Sequence, residues 1–69
     1  MKRTWEQEKA YNAKRAQQAI AEMEQAIETY DVNRFEAAWQ VAMRYMNKKQ
    51  RTPYYIKMLQ KGQQRRANA

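Results

Sequence analysis

This 69-residue chain has no cysteine, no histidine and no serine, and only one glycine and one proline. Without Cys no disulfide can form, and with His missing too a structural zinc site has none of its usual ligands. The commonest general base and the two commonest nucleophiles are absent with them. An enzyme is therefore not expected, nor any cofactor. No run approaches the ~18 consecutive apolar residues that would suggest a membrane span. Glu6, Gln7 and Glu8 stand where a signal peptide would need an apolar stretch. A soluble cytoplasmic protein is the expectation.

Charge of one sign is also missing, over half the chain. After Glu36 there is no acidic residue, yet eight basic ones follow, whereas residues 1–36 hold six basic and seven acidic groups. The formal net charge of +7 thus belongs to the second half. Such asymmetry is an argument about partners, and it points to a polyanion, most simply a nucleic-acid backbone.

The abundance of Ala, Gln, Glu, Lys, Arg and Met, with so little Gly and Pro, predicts an all-α fold. Thr4-Trp5-Glu6-Gln7 fits a capping box, so a first helix should run over about 4–30. Its apolar stripe comprises Trp5, Ala13, Ala16, Ile20, Met23, Ile27 and Tyr30. Asp31 to Arg34 reads as a turn, with Asn33 and Glu36 capping a second helix over 33–48. That helix should bury Phe35, Ala38, Trp39, Ala42 and Met46, leaving Val41 outside its apolar arc. Gln50 and Arg51 read as a connector. Thr52-Pro53 starts a third helix over 53–61, carrying Tyr55 and Leu59 to the core and stopping at Gly62. Residues 1–62 form a single helical domain on this reading, and 63–69 a basic polar tail, disordered.

The expected helix lengths of about 40, 23 and 14 Å allow the second and third helices to run end to end, antiparallel along the first. That broken helical hairpin would set Trp5 against Tyr55 and Leu59; a small three-helix bundle is the other packing. Either core is small for independent stability, so completion by a homo-oligomer is expected to help.

Two constellations could carry chemistry. Glu24, Glu28 and Asp31 recur at i, i+4, i+7, the kind of row that offers oxygen ligands to a hard cation. A solvated acidic flank explains them as well, and no metal site is expected. The basic constellation is stronger. Arg44 and Lys48 lie opposite the apolar face of the second helix, and Lys49 and Arg51 continue the patch through the connector. Lys57 and Lys61 share a face of the third helix, with Arg65 and Arg66 beyond them. Like charges four residues apart cost stability, so their recurrence without a nearby acid suggests a use. Phosphate contact is that use, with Tyr45 and Tyr54 as platforms for exposed bases.

The expected function is therefore that of a small nucleic-acid-binding accessory protein, for RNA or DNA, gripping backbone with little sequence selectivity. A helix-turn-helix reader fits less well, because Lys48-Lys49-Gln50-Arg51 lacks the small residue that motif wants at its turn. A protein–protein interaction module is the alternative, as a small subunit or inhibitor of a larger (ribo)nucleoprotein complex. Its surface would come from Met43, the other methionines and the two tryptophans. Membrane-surface binding ranks last among the partners.

Overall fold

The computed structural model describes residues 4–68 as three helices: α1 (Trp5–Thr29), α2 (Val32–Tyr45) and α3 (Lys48–Ala67). The fold is all-α, a small bundle built on a long first helix. No helix among the described residues is long and apolar enough to cross a membrane.

α1 begins as its sequence dictates. The Gln7 amide donates to Thr4 Oγ1 (3.2 Å) and the Thr4 amide to Gln7 Oε1 (3.1 Å), so two otherwise unpaired N–H groups are satisfied together. Glu6 and Glu8 sit in the first turn, at the positive end of the helix dipole. The helix closes on Tyr30, which adopts the left-handed conformation (φ 52°). That turn lets the Asp31 amide donate to the Ala26 carbonyl (2.8 Å) and the Tyr30 amide to that of Ile27 (3.2 Å).

Helix starts further along differ from the expected ones, for one common reason. The α1–α2 turn is shorter than expected, and Asp31 rather than Asn33 caps α2, its Oδ1 accepting from the Arg34 amide (3.0 Å). Similarly, α3 starts at Lys48 and not at Pro53. Asn47 Oδ1 accepts from the Gln50 amide (2.8 Å) while Gln50 Oε1 accepts from the Asn47 amide (3.2 Å). In each case an Asx side chain further upstream reaches the N3 amide first, and the helix propagates through the later candidate. Pro53 is thus inside α3, and Thr52 donates its hydroxyl to the Lys48 carbonyl instead of capping. Gly62 does not end α3 either: the helix continues to Ala67, so residues 63–67 are helical and not a disordered tail. Residues 1–3 and Ala69 lie outside the described residues.

A longer α3 changes the packing. α2 runs back along α1, and α3 then folds back along α2. Tyr55 meets Trp39 (ring centroids 5.4 Å apart) and Phe35 (6.5 Å), whereas Gly62, seven residues later, meets Tyr30. Rising numbers on α3 therefore meet falling numbers along α2 and then the α1–α2 turn, which is the three-helix bundle and not the end-to-end hairpin. Trp5 is 74% exposed and touches neither Tyr55 nor Leu59; its ring neighbour is the Lys9 ammonium. The first turns of α1 overhang the bundle. Accordingly the radius of gyration is 14.3 Å, against about 11 Å for a compact domain of this length.

The core sits mainly between α1 and α2. α1 contributes Ala19, Met23 and Ala26, and α2 contributes Phe35, Ala38 and Ala42, joined by Met46 at its C-cap. Ala19 and Ala26 were not on the expected stripe, and Ala13 proves exposed. Val41, expected outside the apolar arc, packs against the core as a partly buried side chain. Four alanines on the two facing stripes let the axes approach closely, with Met23 filling the centre. α3 buries only Met58 and Gly62. Tyr55 and Leu59, expected in the core, remain 47% and 51% exposed.

Candidate nucleic-acid interface

α3 carries seven basic residues and no acidic one over 20 residues. Because it is a continuous helix of about 30 Å, those cations are held at fixed intervals along a rod and do not trail into a tail. Their positions fall into three groups.

Lys48 and Lys49 are exposed in the first turn, where no acidic residue accompanies them. They stand at the positive end of the α3 dipole, a placement that costs stability. Arg44, exposed in the last turn of α2, lies just upstream in the chain. Second, Lys57, Lys61 and Arg65 recur every four residues, about 6 Å apart along the axis, and so form a row on one flank. The Lys57 ammonium is 5.4 Å from the centroid of the Tyr54 ring, and the Arg65 guanidinium is 5.4 Å from that of Tyr30. Each aromatic face orients its cation while leaving the charged group exposed. Lys61, between them, is half-buried.

Arg66 and Arg51 behave differently. Arg66 lies on the side of α3 turned to α2. Arg51 is half-buried: its guanidinium covers Trp39 at 5.6 Å and Nη1 donates to the Met46 carbonyl (3.1 Å). It ties the α2–α3 turn together and is not a freely presented cation. Nor are the two tyrosines freely presented. Tyr45 is half-buried against α1, edge-on to Tyr11 at 6.3 Å with the Arg15 guanidinium 5.7 Å from its ring. Tyr54 is half-buried against the core beneath Lys57.

On the acidic side, Asp31 is occupied in capping α2. Among the described residues no three His, Cys, Asp or Glu side chains gather as a metal site. The one ion pair among them joins Arg34 Nε to Glu22 Oε2 at 2.8 Å, and this bond and charge hold the Glu22 carboxyl below its ordinary value.

A second feature was not foreseen. Between α2 and α3 lies an open groove of about 670 Å³, with Phe35, Trp39 and Met58 along it and Glu36 and Arg66 among its polar lining. Reading α3 from Pro53 hid it, since that register separates the two helices. The Asn47–Gln50 spacing, the same box as Thr4–Gln7 with Asn in place of Thr, was the signal that could have found it.

Comparison of the chain with protein-family models, with curated proteins and with solved structures returned no match.

Proposed function

We propose that this protein binds nucleic acid through α3, contacting phosphates rather than reading base edges. The observation that carries the reading is the acid-free basic helix, and within it Lys48 and Lys49. A fold selected for stability alone would set acids at that helix start. A local rule broken twice, on exposed positions, is the signature of a binding demand. Phosphate oxygens would meet the two ammonium groups together with the free amides of the first turn. The row Lys57–Lys61–Arg65 would then follow the backbone. Stacking of bases is a lesser part of the reading, because Tyr45 and Tyr54 are both half-buried against the bundle.

Fluorescence anisotropy with labelled single-stranded RNA, single-stranded DNA and duplex DNA, each across a salt series, tests it. Affinity should fall steeply with salt. Lys48→Gln with Lys49→Gln should weaken binding and lower the slope of log K against log salt by about two. Retention of full affinity and slope by that variant, or binding to all three polymers that vanishes at physiological salt, would refute the assignment.

A further inference from the structure

We infer that the α2–α3 groove is closed in solution by the same groove of a second copy of this chain, giving a two-fold symmetric dimer. The argument starts from what α3 leaves uncovered. Of its 20 residues only Met58 and Gly62 are buried, whereas Tyr55 and Leu59 stay about half-exposed beside a half-buried Trp39. Val32 at the far end of the groove is 44% exposed. A contiguous apolar strip on so small a bundle is a surface that association would remove from water.

Charge selects the occupant and its orientation. α3 is basic throughout, so setting α3 against α3 of another copy would oppose like charges. A two-fold axis parallel to the helices instead sets α2 of each copy opposite α3 of the other. The groove is suited to that arrangement. Glu36 on the α2 wall is the sole acidic residue lining it, and Arg66 stands on the α3 wall. Neither is in an ion pair among the described residues. In the dimer Glu36 of each copy meets Arg66 of the other, so both rims are matched twice by symmetry. The strip between them, Phe35, Trp39, Tyr55 and Leu59, becomes the centre of a four-helix layer. A standard interface takes ~800 Å² from each partner, about one-seventh of the 5811 Å² this chain exposes. Lys57, Lys61 and Arg65 do not line the groove, so closing it leaves that row uncovered in each copy.

Each copy carries +7, and the two repel at long range. Screening by salt should therefore strengthen the dimer, the opposite of its effect on phosphate binding. The two readings stand or fall separately.

Sedimentation equilibrium of the full chain across concentration and salt is the test. We expect a monomer–dimer equilibrium, from 8.4 kDa to twice that mass, that shifts towards dimer as salt rises. Leu59→Glu should leave a monomer with unchanged helical circular dichroism. Glu36→Arg should weaken the dimer roughly tenfold, and adding Arg66→Glu should restore it. A chain that stays monomeric at every salt concentration overturns the proposal. So does a dimer indifferent to Leu59→Glu but abolished by Trp5→Ala, which would place the interface on the α1 overhang.

Discussion

The ring of Tyr30 lies against the backbone of Gly62. A Cβ built on Gly62 would stand 2.7 Å from Tyr30 Oη and 3.1 Å from two ring carbons. The pair inverts the usual roles. Tyr30 takes the left-handed backbone conformation that normally falls to glycine, while glycine occupies a helix interior where alanine would be favoured. The ring holds the end of α3 to the α1–α2 turn, and Arg65 covers it from the same helix. Gly62→Ala should therefore lower stability by about 1–2 kcal/mol, because the Tyr30 ring must move. In a Tyr30→Gly background the same substitution should instead raise it by about 0.5–1 kcal/mol, as helix propensity alone then decides. Urea unfolding of the four proteins in this cycle gives the sign directly.

The start of α3 is tested by its caps. Asn47→Ala removes the side-chain oxygen that pairs with the Gln50 amide and should cost about 1 kcal/mol. Thr52→Ala, which leaves that box intact, should change stability by less than about 0.5 kcal/mol. Pro53 supplies no N–H to the carbonyl of Lys49, four residues back, so Pro53→Ala should stabilise by about 1–3 kcal/mol. A helix beginning at Thr52-Pro53 would reverse the order of the first two effects. Thermal melts of the three variants distinguish the registers.

Which features were legible in the sequence follows from how local their causes are. The first capping box needs only Thr4 and Gln7, and it was readable. So were Phe35, Ala38, Ala42 and Met46, whose spacing on one short helix leaves little choice of face. Competing caps were harder: Asp31 against Asn33, and Asn47 against Thr52, are each chemically sound pairs, and packing of the whole helix selects between them. The error at Asn47 then propagated, since shortening α3 removed the groove, exposed Gly62 as a stop signal and put Tyr55 and Leu59 in the core. Trp5 failed for a different reason. Its phase on the α1 stripe was right, but α2 ends opposite Tyr11 and α3 then turns back towards Tyr30, so neither helix covers it. The basic residues were legible as a composition, whereas their division into a helix start, a flank row and the groove-facing Arg66 needed the full length of α3.

The Glu22–Arg34 pair joins α1 to the first turns of α2, and Arg34 Nη2 also donates to Gln25 Oε1. Arg34 lowers the Glu22 carboxyl below its ordinary value, first by the hydrogen bond and then by its charge. A carboxyl depressed in the folded state contributes stability above its unfolded value, and loses it as pH falls through the folded one. The contribution should thus be present at neutral pH and disappear below the ordinary carboxylate range. Arg34→Gln should lower the melting temperature at pH 7 and converge with the wild type in acid. Carboxyl NMR should then find Glu22 titrating back at its ordinary value; a Glu22 titration unmoved by the substitution would dissociate the two residues.

Lys48 and Lys49 separate folding from binding most sharply. Both are exposed at the first turn of α3, and Asn47 and Gln50 cap the helix without them. Replacing both by Glu reverses two charges at the positive end of the dipole and leaves the cap in place. Stability should rise by about 0.3–1 kcal/mol per site at low salt. Nucleic-acid binding should be lost in the same variant, since two phosphate contacts become two repulsions. Opposite signs in the two measurements mean that the residues are kept for binding at the expense of the fold. If stability rises and binding persists unchanged, the helix start is not where phosphate is held, and the Lys57–Lys61–Arg65 row must carry the affinity instead. A melt and an anisotropy titration on one purified variant decide between these.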